Sequence, residues 1–172
     1  PPRRMEAEAI RDSILQTSGK LNLAGGGRGF SLFKQRGGLS GYDPIEEFDQ
    51  SGWRRMIYAH KIRMQSVDIF GSFDCPDAGQ MRPKRTQSIT PMQALNLFNS
   101  TFATRQAGFF AQRIEAMSDD TAASQTEMAF LLALSRKPTT IEHTAMEELV
   151  KEQGLIQLCR ILMNTSEFLY IP

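Results

Sequence analysis

The chain has 172 residues, 41% hydrophobic and 23% charged, a size that suits one domain with its own core and a balance that excludes an intrinsically disordered chain. Twenty Lys and Arg face nineteen Asp and Glu for a net charge of +1, so there is no overall basic field for a phosphate backbone. No stretch nears the roughly 18–20 apolar residues of a membrane span.

The opening Pro1-Pro2-Arg3-Arg4 lacks an initiator Met and any charged-then-apolar leader, and reads as the interior of a longer polypeptide. Residues 3–18 are predicted as a helix: good helix formers, Ile10 and Ile14 one turn apart, and Gly19 as a left-handed terminator. A large apolar surface around this helix is expected, left for missing partner sequence. Residues 19–89 read as a loop or arm, with nine of the thirteen glycines inside 19–52. Phe30, Leu32, Phe33, Leu39, Tyr42, Ile45 and Phe48 are its expected apolar anchors. The run Gly25-Gly26-Gly27-Arg28-Gly29 lacks both GxxxxGK[ST] and GxGxxG and follows no β-branched strand, which speaks against a nucleotide loop.

Around 53–63 the alternation of Met56, Tyr58, His60 and Ile62 against Ile57, Ala59 and Lys61 predicts a short β element with one greasy face. From Thr90 the chain turns helical. Thr90-Pro91-Met92-Gln93 is a dense start signal, placing a helix at Pro91 with its apolar stripe on Met92, Leu95 and Phe98 and a break at Asn99-Ser100-Thr101. Thr121 to Ser135 is expected as a buried helix along Met128, Leu131, Leu132 and Ser135. Thr139-Thr140-Ile141-Glu142 repeats the capping signal for a helix ending before Gly154, and a last helix spans Leu155 to Asn164. The Phe168-Leu169-Tyr170-Ile171 tail is too apolar to dangle. The fold class is mainly α: one domain or domain fragment over 1–172, with a helix at 1–18, a glycine-rich arm at 19–89 and a helical part at 90–172.

Catalytic and metal chemistry finds few carriers. Only His60 and His143 are histidines; His60 lies on the greasy face as a core or interface residue, and neither HExxH nor a Cys/His pair at ligand spacing occurs. GxSxG is absent. Cys75 and Cys159 are the two cysteines, too few for a disulfide scaffold; Cys159 reads as core filling, and the flanking Asp74 and Asp77 are expected to raise the Cys75 thiol. Asp68, Asp74 and Asp77 are the weak candidates for a metal, and Asp74, Asp77 and Asn99 for catalysis. The DxDxDG spacing of a calcium loop is missing, and an Asp before Cys-Pro reads equally as a turn cap. Arg82-Pro83-Lys84-Arg85 is the sharpest basic run.

Five ordered stretches carry a resemblance. Arg3 to Asp12, Arg54 to Tyr58, Phe73-Asp74-Cys75-Pro76-Asp77, Arg85 to Asn99 and Asn164 to Tyr170 together resemble the C-terminal domain of unknown function of large planctomycete proteins, which follows planctomycete-specific cytochrome-c-like domains. The chain resembles the latter part of that domain, departing from it with Cys75 where Ala is common and matching only loosely over 20–52. The resemblance implies an extracytoplasmic protein tied to electron transfer or polysaccharide breakdown. It also implies haem c in another domain, since no CxxCH lies here, and a partner that is the upstream polypeptide or another subunit; charge and hydropathy already argue against nucleic acid and a membrane span.

Physically these motifs read as structural. Thr90, Pro91 and Gln93 build a helix start, while Arg54, Arg55 and Arg85 beside Asp74 and Glu8 are expected to pair and hold the arm to the helices. Were there an active site, Asp74, Arg85, Gln93 and Asn99 would face it. Three functions follow: a non-catalytic structural or interaction domain; a hydrolase or carbohydrate module using Asp74 and Asp77, which requires a second carboxylate within about 5–9.5 Å; or a docking partner for a haem domain through 82–85.

Overall fold

A computed structural model describes residues 2–35, 42–45, 48–62, 73–76, 83–85 and 88–171. The fold is mainly helical, as the sequence predicts. The carboxy-terminal part runs α2 (Pro91–Asn99), α3 (Thr101–Glu115), α4 (Ala122–Leu134), α5 (Thr140–Gln153), α6 (Leu155–Met163) and the single turn α7 (Ser166–Leu169). Against α3 lies α1 (Ala7–Thr17).

Several of the helices start on a side-chain cap. Ser100 accepts from the Ala103 N–H and Thr121 from the Ser124 N–H, Thr139 and Glu142 form a reciprocal capping box, and Thr165 caps α7, each satisfying a donor that the helix leaves unpaired. Gly154, at φ 88°, separates α5 from α6, a backbone shape that costs a residue with a Cβ but not glycine.

The core is α3 on α6 and α4, with α1 laid across: Ile10, Ile14, Leu15, Phe110, Ile114, Phe130, Leu158 and Leu162 are buried, and Ala107, Ala111 and Ala129 let backbones approach. Cys159 fills this core as a free thiol. The α1 carboxy-terminus is closed from outside by Arg113 of α3, whose guanidinium donates to the Gln16 and Thr17 carbonyls at 2.9 and 2.8 Å, a cation at the negative end of the helix dipole.

Several expectations are corrected. Residues 3–18 are not one helix: Arg3–Arg4 form β1, antiparallel to β6 (Tyr170–Ile171) with Arg3 opposite Ile171. The docked tail claims this backbone, and α1 begins only at Ala7. Nor does α1 expose a large apolar surface, because Ile10, Ile14 and Leu15 are covered by this chain itself. In α2 the seam is Gln93 and Leu97, with Met92 and Leu95 facing solvent; in α4 it is Gln125, Thr126, Ala129 and Phe130, leaving Leu131 exposed. Both seams sit a residue or two away from the predicted stripes, because a long-range partner selects the buried face.

The arm is pinned by small β pairings. β2 (Phe30–Ser31) runs parallel to β5 (Ala59–His60), and β3 (Phe33–Gln35) antiparallel to β4 (Tyr42–Pro44). The predicted β element at 53–63 is thus only two residues of strand, preceded by a 3-10 turn at Met56–Tyr58. Met56 is buried but His60 is exposed, against the expected shared face. Phe30, Leu32 and Phe33 are buried and Tyr42 and Phe48 packed against the core, so these anchors hold; Leu39 lies outside the described residues.

Beneath the arm sits a cation that the sequence reading does not single out. Arg11 is wholly buried in α1. Its guanidinium donates to the carbonyls of Gly52 and, at 2.9 Å, of Arg54, with the rings of Phe30, Phe48 and Phe102 at 5.2, 5.8 and 5.7 Å. Burial lowers its pKa to about 10, partly opposed by Asp12.

Candidate functional site

Three of the five stretches behind the resemblance, Arg3 to Asp12, the 73–76 turn and Arg85 to Asn99, meet at that turn. Asp74 has φ 60°, a left-handed conformation that Asp tolerates better than most residues. This twist aims its carboxylate at three donors: Arg4 Nη2 at 2.8 Å, the Ser88 N–H at 2.7 Å and the Ser88 hydroxyl at 2.9 Å. Burial alone would raise the carboxyl; the bonds from Ser88 and Arg4 outweigh it and hold Asp74 below its ordinary range.

Arg4 is itself buried, 6% exposed. Its other terminal nitrogen donates to the Ser88 carbonyl and to Gln93 Oε1, and its guanidinium lies 5.4 Å from the Phe73 ring centre. Gln93 then closes the circle, donating at 3.0 Å to both the carbonyl and the hydroxyl of Ser88. It also accepts from the Thr90 N–H at 3.3 Å within the capping box that opens α2 behind Pro91. The residues of the predicted helix start therefore belong to the same network as Asp74.

On the other side of the turn lies a second cluster. Glu8 of α1 accepts from Lys61 at 2.9 Å and from Arg85 at 2.8 Å, and Arg85 also meets Glu6 at 3.1 Å. Cys75 Sγ lies 3.3 Å from Lys61 Nζ and 3.8 Å from Glu8 Oε1. Burial works against the Glu8 charge, yet the Arg85 and Lys61 hydrogen bonds pull its pKa from 4.5 to about 2. Cys75 is raised as expected, but by burial first and then by the Glu8 charge, opposed by Lys61 and Arg85.

A pH dependence follows. Glu8 has a folded pKa below its ordinary one, so its contribution is complete above pH 4.5 and drains away as the pH falls toward 2. Asp12, raised by its burial, opposes this in part. In urea titrations across that window, Glu8→Gln is expected to reduce the stability lost on acidification by about 2 kcal/mol. An unchanged slope contradicts the ion cluster.

The other named residues lie elsewhere. Among the described residues Arg54 finds no carboxylate: it donates to the carbonyls of Ala24, Gly26 and Arg28 at 3.0, 2.6 and 2.7 Å and stacks 4.1 Å from the Tyr58 ring centre. It gathers the glycine turn, where Gly26 and Gly27 have φ 70° and 74°. Arg55 is exposed and 3.8 Å from Asp12. Asn99 is exposed at the end of α2. Arg85 meets Glu8 rather than Asp74, whose cation is Arg4. Asp68, Asp77 and Arg82 lie outside the described residues. Among the described residues no three His, Cys, Asp or Glu side chains gather as metal ligands, and no helix is long and apolar enough to cross a membrane.

Among the described residues, two clefts of about 480 and 500 Å³ lie by the arm, one lined by Arg28, Phe30, Lys34 and Phe48, the other by Asp12, Gln16, Arg55 and Phe168. Asp74 lines neither. Sequence reasoning missed Arg4, Lys61 and Ser88. The signal for Arg4 was faint: in a strand, neighbours point to opposite faces, so one arginine of the Arg3-Arg4 pair turns inward.

Outside the junction, α2 carries a contrasting surface. Residues 86–104 contain no charged side chain, and Ile89, Met92 and Leu95 are 77%, 56% and 52% exposed.

No curated protein and no solved structure matches the chain. The sequence profile described as "PSD1: Protein of unknown function (DUF1553)" matches residues 1–150, which takes in the whole polar junction, and the chain belongs to that family.

Proposed function

We propose that this chain is a non-catalytic structural and interaction domain of a larger extracytoplasmic polypeptide that also carries a cytochrome-c-like domain. The observation that carries the reading is the state of the polar junction. Asp74, Ser88, Gln93 and Arg4 bond one another, and Glu8 is held by two cations. Catalysis needs a group poised to change its bonding along the reaction, and these groups are engaged in fastening the arm to α1 and α2. The extracytoplasmic setting and the haem-bearing neighbour rest on the family resemblance. The uncharged outer face of α2 with Met92 and Leu95, and Ile89 just ahead of it, is the surface offered to that neighbouring domain of the same polypeptide; grouped exposed apolar side chains without charges are suited to protein contact.

Hydrogen exchange on the whole polypeptide tests this. Met92→Glu with Leu95→Glu is expected to speed exchange in the neighbouring domain while the amides around Asp74 stay protected. The reading fails if the neighbour's exchange is unaltered, or if the polypeptide turns over a substrate and Asp74→Asn abolishes that turnover without loss of fold.

A further inference from the structure

We propose that Lys61 and Cys75 form an oxidation-dependent covalent clamp, a sulfur–nitrogen bond that ties the arm behind β5 to the 73–76 turn. Two nucleophilic side chains from segments 14 residues apart meet at 3.3 Å, nitrogen on sulfur, so a small side-chain movement brings them to bonding distance. Glu8 fixes the geometry: it holds Lys61 at 2.9 Å and stands 3.8 Å from the thiol. Oxidant has access, since the Lys61 side chain is 30% exposed and Cys75 is half-buried. Cys159, sealed in the core, serves as an internal control.

The chemistry balances with one equivalent of a peroxide. The Cys75 thiolate attacks a peroxide oxygen and the O–O bond breaks; sulfur is oxidised by two electrons to the sulfenic acid and hydrogen peroxide is reduced to water. The hydroxide that leaves the peroxide becomes that water by taking a proton from the Lys61 ammonium, which Glu8 keeps charged, and the lone pair of the amine so freed attacks the sulfur. The S–N bond forms, the S–O bond breaks, and hydroxide leaves with an amine proton as a second water. No further electron is needed, and a thiol such as dithiothreitol reverses the bond by attack on sulfur. The adjacent ammonium and the Arg85 charge favour the thiolate; burial and Glu8 oppose it, so mildly alkaline conditions are the ones to use.

The whole chain is treated with hydrogen peroxide, digested without reductant and read by mass spectrometry. The expected product joins the Lys61 peptide to the Cys75 peptide with two hydrogens fewer than their sum. It vanishes with dithiothreitol, is absent in Cys75→Ser, and raises the urea midpoint of the oxidised chain. In Lys61→Gln, or Lys61→Arg should the first fold poorly, dimedone is expected to trap the sulfenic acid at Cys75 instead. The proposal is overturned if Cys75 of the folded chain goes on to sulfinic and sulfonic acids with Lys61 unmodified, if it links two chains as a disulfide, or if it stays a thiol under peroxide that oxidises the unfolded chain.

Discussion

Arg11→Ala is expected to lower the unfolding free energy by about 4 kcal/mol, the range found when one member of a buried charged constellation is removed. The side chain fills a site enclosed by Phe30, Phe48 and Phe102, and its loss leaves a cavity. It also strands the Gly52 and Arg54 carbonyls, which accept its hydrogen bonds, at a cost of about 1–3 kcal/mol for each buried acceptor left unpaired. Arg11→Met separates these effects: it refills most of the volume but donates nothing, so about half the loss should remain. The damage is expected to begin in the arm, with 48–60 losing exchange protection before α3 and α6. Urea midpoints and site-resolved exchange check both points; equal losses for Ala and Met would mean that packing is negligible here.

Asp74→Ala carries the second large effect, about 3 kcal/mol, because it removes the carboxylate from a nearly buried guanidinium and from a backbone N–H. Arg4 keeps the Ser88 carbonyl and Gln93 Oε1, which limits the damage. The backbone adds a term of its own: at φ 60° alanine is less tolerant than aspartate, by about 1 kcal/mol. Asp74→Gly relieves that term and should recover about 1 kcal/mol of the loss. Asp74→Asn should fall between wild type and Ala, since one carbonyl oxygen can still serve Ser88 while the amide end meets Arg4 unfavourably. A ranking of Asn, Gly, Ala in descending midpoint supports the junction as described; Gly below Ala contradicts the backbone argument.

Local chemistry made part of this legible in the sequence. Pro91 behind Thr90, the Thr139–Glu142 pair and Gly154 mark helix boundaries by bonds that span a single turn, and each sits where it was read. The buried faces were less legible. Gln93 enters the core because Arg4, 89 residues earlier, receives it, and periodicity carries no trace of a partner so distant. Charge grouped Arg54, Arg55 and Arg85 with Asp74 and Glu8 without fixing the pairs: Arg85 meets Glu8, while Asp74 meets Arg4, which lay outside that group. Arg11 was invisible: in the helical text of α1 it looks like any solvent-facing cation, and only the aromatic anchors of the arm, folding back, make it a core residue.

The pairing of Arg3 with Ile171 and Arg4 with Tyr170 has a mechanical consequence. In this antiparallel ribbon the incoming and outgoing backbone meet side by side at one pole, so tension applied across the two ends would peel the pair one rung at a time instead of shearing all rungs together. Such a seam resists little pull. Load passed through neighbouring segments would open it first and leave the helices behind it folded.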